Sequence, residues 1–298
     1  MPALRLLFGF LVLMGPVSSS LAQQAEGEPR LHLQIGGRWE SNGDWRGGQN
    51  GSASGKSQAA QVSWQWLNHE STELELGLHW KTFDFDLKGG GRGYSSWLQK
   101  GEAFGASFDF RRSFGGAWSG LARGGAGAGR QKGAPLDEAW TAHGGLGLQW
   151  QLREDKRIGL LAVLQSRPSA DPVLYPRLHF HWSVADDWFL RDDPNFASGL
   201  RLVYRRDPQW DLYLFSGWQY QAFALDPPKR RQPQAAWVHG GAAGIGADWR
   251  PHRNWILSGQ LGLQLAQEYQ FLQGFGNDVD RREVGTAPFF AFQLGFLW

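Results

Sequence analysis

Arg177, His179 and His181 stand two residues apart in the amino-acid sequence. In an extended strand, side chains at this spacing point to the same face. Two imidazoles on one strand face can bind a metal ion, but a complete zinc site has three or four protein ligands. No carboxylate with a matching spacing lies nearby in the sequence. We therefore interpret the three residues as a polar strand face, and we predict no metal and no cofactor.

A serine nucleophile is the second kind of chemistry to consider. Such a serine needs a base within hydrogen-bond distance, and the sequence has no Gly-x-Ser-x-Gly turn to present one. Four serines lie in segments that alternate like strands, where a distant histidine could approach them: Ser63, Ser107, Ser198 and Ser258. We interpret them as small polar residues and predict that the protein is not an enzyme. A hydrolase stays as an alternative hypothesis.

Charged residues also occur within these alternating segments. The candidates for an enclosed polar face are Glu73, Glu75, Lys81, Arg177, His179, His181, Arg201 and Arg205. Charges of both signs on one face can form ion pairs that make a structure rigid, or they can set the ion preference of a channel. The sequence leaves both interpretations open.

The elements that carry these residues are short strands, because apolar and polar residues alternate along them. The clearest examples are residues 140–152, 255–265 and 290–298. None of them has the spacings of three and four that a helix needs. The sequence therefore predicts an all-β fold.

The composition is unusual for a soluble protein. The chain has 41 Gly, 17 Trp and 19 Phe but no Cys, and its mean hydropathy is nevertheless negative. Apolar residues that are interleaved with polar ones are typical of strands with one face on lipid and the other on a wet lumen. The 30 basic residues nearly balance the 28 acidic ones, so the charge gives no indication of nucleic-acid binding.

The first 22 residues have the layout of a secretory signal peptide. Arg5 supplies the positive charge, an apolar stretch follows, and Ser20 and Ala22 precede an expected cleavage before Gln23. The apolar stretch is shorter than the roughly 20 residues of a transmembrane helix. We expect a cleavable signal peptide (1–22), a short periplasmic N-terminal tail (23–29) and an outer-membrane β-barrel (30–298) in a Gram-negative-type envelope.

The connections between the strands predict how many strands there are. Short polar connections alternate with longer ones, including 124–138, 166–172 and 271–286, as the turns and loops of an outer-membrane barrel do. We predict a transmembrane up-and-down antiparallel β-barrel of about 14 strands, with both termini periplasmic, if residues 188–191 form a short strand. Without that strand the count is thirteen, or twelve if a second weak strand is also dropped. The glycine-rich segment 115–129 fits a strongly curved strand with a crowded inner face, or a flexible loop.

Tryptophans recur near the predicted strand ends. Those that we assign to an aromatic girdle at the periplasmic interface are Trp66, Trp118, Trp150, Trp182, Trp210, Trp249, Trp255 and Trp298. A soluble β-sandwich is the alternative, but it would place these rings in no common plane.

Part of the chain resembles a known family. The segments that carry the resemblance are 176–182 (PRLHFHW), 187–190 (DWFL), Pro194, 199–204 (GLRLVY), 249–255 (WRPHRNW) and 287–298 (APFFAFQLGFLW). They resemble an uncharacterised family of bacterial outer-membrane β-barrel proteins of unknown function, clearly over residues 170–298 and elsewhere only in strand pattern. The resemblance implies the barrel fold and supplies no catalytic residues.

The C-terminus has a further implication. Phe292, Phe296 and Trp298 resemble the terminal signal that the barrel insertion machinery reads, although Trp298 replaces the more usual Phe. The resemblance implies outer-membrane lipid and that machinery as partners. We expect a chain without residues 296–298 to stay in the periplasm.

Strand number indicates a function. Barrels of about eight strands are filled by side chains, whereas those of sixteen to eighteen enclose an aqueous channel. Fourteen strands predict a narrow or partly plugged lumen, and so a pore-type protein for the passive passage of small solutes. A non-transport barrel that anchors outer loops for binding or adhesion is the first alternative, and an outer-membrane hydrolase is the second.

Overall fold

A computed structural model describes residues 30–46, 51–69, 71–89, 98–167, 170–193, 196, 198–226, 233–273 and 277–298. The expected signal peptide and N-terminal tail lie outside the described residues. Within the described ranges, no helix is long and apolar enough to cross a membrane.

The strands are β1 (Arg30–Asp44), β2 (Gly51–His69), β3 (Thr72–Gly89), β4 (Lys100–Ser113), β5 (Trp118–Gln131), β6 (Trp140–Arg153), β7 (Lys156–Arg167), β8 (Ala170–Ala185), β9 (Trp188–Asp192), β10 (Ser198–Asp207), β11 (Trp210–Ala224), β12 (Ala235–His252), β13 (Trp255–Gln273), β14 (Asn277–Val284) and β15 (Ala287–Leu297). Neighbours in the wall are antiparallel, and the pairing of β1 with β15 closes the sheet. Because β14 and β15 pair with successive parts of β13, they act as one wall strand. The barrel therefore has 14 wall strands.

The predicted fold is confirmed, and its short strand at 188–191 is β9. The twelve-strand and thirteen-strand alternatives are wrong, as is the soluble sandwich, because the sheet closes on itself. Backbone hydrogen bonds join Leu31 and Trp298 at 3.1 and 2.9 Å, so the start of β1 and the last residue lie at the end of the barrel that carries the short hairpins. We call this the turn end and the opposite one the loop end. The periplasmic position of the turn end stays a prediction.

Along the wall strands, exposed apolar side chains alternate with buried polar ones, as in membrane barrels. On β6, Leu146 is 72% exposed, whereas Gln149 is 2% exposed. On β11, the side chains of Leu212 and Leu214 are exposed, whereas that of Asp211 is buried. Apolar side chains thus face outward and polar ones face inward, the reverse of a soluble protein.

The strands continue further towards the loop end than the sequence indicated. β5 reaches Gln131, the β7–β8 hairpin keeps its pairing up to Arg167 and Ala170, and β14 occupies most of the expected loop 271–286. Our assignment to loops is wrong for residues 124–131, 166–167, 170–172, 271–273 and 277–284, whereas residues 132–138 do connect two strands. A membrane needs only about 9–11 residues per strand, and strands of up to 19 residues therefore extend the wall beyond it.

The glycine-rich segment is a strand with a crowded inner face. β11 loses its β10 neighbour beyond Trp218 and bends to β5, with which it pairs in parallel between Ala224 and Arg130. A Cβ atom on Gly129 would stand 2.5 Å from the backbone oxygen of Ala222, so glycine permits this approach. The contact divides the loop end of the barrel interior into two sides.

One of these sides is filled. Twelve buried residues, which we call the apolar plug, close the loop end between β11 and β3: Trp45, Ala53, Phe83, Leu87, Leu98, Phe223, Leu225, Ala236, Val238, Tyr269, Phe271 and Val284. The Phe83 and Phe223 rings lie 4.1 Å apart between centroids. The other side is enclosed by β5 to β8.

Candidate functional site

A cavity of about 150 Å³ lies inside the barrel, nearer the turn end than the contact of β5 with β11. We call it the lumen cavity, and its lining comes from β2 to β5 and β7 to β9: Gln65, Glu73, Leu74, Glu75, Asp109, Phe110, Arg111, Leu121, Ala122, Arg123, Leu161, Arg177, His179 and Asp192. The inward positions of adjacent strands meet there because the register pairs Glu75 with Asp109 and Leu161 with Arg177. Charged residues of both signs and apolar residues share one small space.

Most charges of the lumen cavity are paired across neighbouring strands. Arg111 donates a short hydrogen bond to Glu73. The Arg123 Nε atom lies 2.8 Å from Asp109 Oδ1. These contacts fix the cavity wall between β3 and β5.

β8 provides the facing wall. The Nδ1 atom of His179 makes a short contact with Asp192, whose other oxygen accepts a 2.6 Å hydrogen bond from the Phe180 backbone. Asp192 thus satisfies a backbone donor at the point where β9 ends. Arg177 stands two residues further along β8 and lines the same cavity.

Three polar side chains meet across the barrel interior on the loop-end side of the lumen cavity. The Tyr220 hydroxyl makes short hydrogen bonds to Gln165 and to the Tyr175 hydroxyl, and the two tyrosine rings lie 5.6 Å apart. We call these three residues the tyrosine constriction. They occupy the place where neither β9 nor β10 separates β8 from β11. Tyr175 also packs with Leu121, Leu161 and Val163, which joins the constriction to the cavity below it.

Arg201 and Arg205 belong to a different site. Arg201 lies 3.1 Å from Asp193 and 3.3 Å from Asp248, and Arg205 lies 3.3 Å from Asp211. We call this the arginine cluster, which consists of Arg191, Arg201, Arg205, Arg250, Asp193, Asp211 and Asp248. Its three aspartates are buried, so these contacts form an ion-pair network.

The remaining predicted residues are also dispersed. Lys81 lines a separate cavity of about 50 Å³ with Arg38 and Glu40. His181 lies between Arg157 of β7 and Arg191 of β9 in the register. The structure thus brings Glu73, Glu75, Arg177 and His179 together and places the other four elsewhere. Within the described residues, no group of three or more acidic or histidine side chains could hold a metal ion.

Sequence reasoning missed two essential members of the lumen cavity. Asp109 stands between Phe108 and Phe110 in the alternating segment 104–110, and this alternation would have placed it inward. Arg123 lies in the middle of the glycine-rich segment, directly before the predicted loop 124–138. Neither residue is distinctive until the register of β4 and β5 joins them.

The predicted girdle residues lie on the outer face near the turn end. Exposed members are Trp66, Trp118, Trp150, Trp249, Trp255 and Trp298, and partly exposed ones are Trp182 and Trp210. Trp118 stacks on Trp150, and Trp210 stacks on Trp249, each at 5.8 Å. In the terminal strand, Phe292 is exposed, Phe296 packs on Trp255, and Trp298 is the last residue.

No family model and no curated protein matches the chain. Solved structures with a similar fold include the COG4313 outer membrane channel from Pseudomonas putida F1. It is 12% identical, the alignment covers 95% of this chain and 100% of that chain, and the TM-score is 0.51. At this identity the similarity shows the fold alone.

Two further structures are less similar. The translocator domain of the autotransporter NalP from Neisseria meningitidis is 13% identical, with 94% of this chain and 91% of that chain covered and a TM-score of 0.40. The toluene transporter TodX from Pseudomonas putida is 11% identical, with 97% and 95% covered and a TM-score of 0.39. The closed 14-strand sheet and the similarity to the COG4313 structure give the chain the fold of an outer-membrane β-barrel.

Proposed function

We propose that the protein is an outer-membrane channel through which small solutes diffuse along the lumen cavity. The observation that carries the proposal is the charged cavity of about 150 Å³ inside a closed barrel. Outward apolar strands support the membrane location, and the COG4313 structure, an outer membrane channel by its description, supports the pore function.

We propose that the tyrosine constriction is the narrowest part of this path, because its side chains are in direct contact. Three side chains close it, whereas many residues form the apolar plug on the other side. Hydrogen bonds between side chains at such a site contribute about 1 kcal/mol each, so thermal motion can open it. We propose that solutes pass when the two tyrosines separate.

The test is single-channel conductance of the purified, folded protein in a planar bilayer. We expect small current steps from the native protein, and clearly larger steps after the double substitution Tyr175→Ala and Tyr220→Ala, because both rings leave the path. Tyr204→Ala is the matched control, since that ring packs against Trp188 on the outer face.

The alternative role as an anchor for outer loops predicts another result. A folded barrel that stays silent even after both tyrosines are removed would contradict the channel. Folding is checked independently by the change in electrophoretic mobility on heating.

A further inference from the structure

Arg177 is a cation of the lumen cavity without a direct partner. Among the described residues, no hydrogen bond or ion pair to its guanidinium is found, although it lines the cavity and is only partly exposed. Asp109 and Asp192 lie near enough to attract it, but Asp109 already binds Arg123 and Asp192 binds His179. A guanidinium away from bulk water is costly unless an anion accompanies it.

Other arginines of the lumen cavity do have partners, unlike Arg177. Arg111 and Arg123 line the same cavity, and each contacts a carboxylate of an adjacent strand. Arg157 resembles Arg177, because it also lacks a hydrogen bond or ion pair in the described part of the chain. It lies opposite His181, about 13 Å nearer the turn end at 3.3 Å per residue. The two free guanidinium groups mark successive positions along one side of the path.

Apolar side chains surround the Arg177 site. Leu161 is the direct register partner of Arg177, and Leu121 lines the cavity beside it. Val163 and Tyr175 extend this apolar surface up to the tyrosine constriction. Such a surface favours a ligand with an apolar body over a small hydrated ion, because burial removes apolar area from water.

The surrounding acidic residues restrict the charge of the ligand. Glu73, Glu75, Asp109 and Asp192 all line the cavity with Arg177, and they would repel a second negative charge. A carboxylate carries one charge and matches the two-pronged geometry of a guanidinium.

We infer that the lumen cavity binds small monocarboxylates with an apolar body, such as aromatic or short-chain aliphatic acids. Arg177 binds the carboxylate, and Leu121 and Leu161 contact the body. The passage of these solutes rests on the proposed channel function, whereas their binding can be measured without it.

The first measurement is isothermal titration calorimetry of benzoate, acetate and benzamide with the purified, folded barrel. We expect benzoate to bind more tightly than acetate, which lacks the apolar body, and than benzamide, which lacks the charge. Arg177→Gln should weaken benzoate binding roughly tenfold or more, since hydrogen bonds to charged groups contribute about 1.5–3 kcal/mol. The matched control is Arg112→Gln, an exposed residue of β4 on the outer face.

A second variant tests the apolar half of the site. Leu161→Asn keeps a similar size, and we expect it to remove the preference for benzoate over acetate while acetate still binds. Equal binding of benzoate and benzamide by the native protein would overturn the inference, as would unchanged benzoate binding in Arg177→Gln. The native comparison decides the matter even if that variant does not fold.

Conductance separates this inference from the proposed function. Benzoate binding that depends on Arg177 in a barrel that never conducts would leave the binding site standing and remove the channel. Current steps that benzoate leaves unchanged, together with no calorimetric binding, would leave the channel standing and remove the carboxylate site.

Discussion

At the scale of single residues, Asp211 is central to the arginine cluster. Its carboxylate lies 2.7 Å from Arg250, 3.3 Å from Arg205 and 4.0 Å from Arg191, and its side chain is fully buried. Removing one member of a buried ion pair leaves an uncompensated charge and costs more than the pair itself contributes. The cluster is thus sensitive to the loss of this one carboxylate.

Asp211→Asn should destabilise the barrel while keeping the shape of the side chain. We expect the free energy of unfolding to fall by about 3–5 kcal/mol, because three guanidinium groups lose their shared anion. The measurement is urea unfolding of the barrel in lipid vesicles. The control is Asp186→Asn in the exposed β8–β9 turn, and equal stability of the two variants would show that the cluster is not a stabilising network.

At the scale of elements, the contact between β5 and β11 depends on one position without a side chain. Gly129 packs on the backbone of β11, and a backbone atom cannot move aside as a flexible side chain can. Gly144 lies on the adjacent strand β6, and a Cβ atom added to it would have no other atom within 4 Å. The two glycines therefore form a matched pair.

Gly129→Ala should destabilise the protein by about 1–3 kcal/mol, the usual cost of overpacking. Gly144→Ala should change the free energy of unfolding by less than about 0.5 kcal/mol, as an exposed wall substitution usually does. Both values come from the same urea titration in lipid vesicles. If the two substitutions have the same effect, β11 does not lie against β5 in the folded barrel.

Alternation made most of the wall predictable from the sequence. Segments such as 140–152 and 290–298 repeat with period two, and lipid on one side of the wall imposes that period. The bend of β11 towards β5 has no such signature, because it joins Arg130 to Ala224 through a single local approach. The apolar plug was equally hidden, since inward apolar residues beyond the membrane look like ordinary strand residues.

The candidate site was predictable only in part for a related reason. Arg177 and His179 could be placed on one face because a single strand carries both. Whether Arg177 has a partner depends instead on the registers of β4, β5, β8 and β9, which decide that Asp109 meets Arg123 and that Asp192 meets His179. Register is a property of neighbouring strands, and one alternating sequence does not determine it.

At the scale of the whole molecule, the tryptophans indicate how the barrel sits in a bilayer. Trp140 and Trp150 both point outward at opposite ends of β6, ten residues and thus about 33 Å apart along the strand. A tilt of about 40° reduces this to roughly 25 Å across the membrane, the height of a barrel's apolar band. Trp140 pairs with Ala128, so the contact of β5 with β11 at Arg130 lies at the loop-end boundary of this band.

This placement predicts how an outward charge is tolerated at different depths. Leu146 lies between the two tryptophans on β6, and Leu136 lies beyond Trp140 in the β5–β6 connection; both are exposed. Leu146→Arg should lower the free energy of unfolding in lipid vesicles by about 2–4 kcal/mol, whereas Leu136→Arg should lower it by about 0–1 kcal/mol. The difference should vanish when the barrel is unfolded from a detergent micelle, whose apolar layer adapts around the charge. If the two substitutions lower the free energy of unfolding in vesicles by the same amount, the bilayer does not lie between Trp140 and Trp150. The tyrosine constriction and the lumen cavity would then lie at other depths in the membrane than this placement gives them.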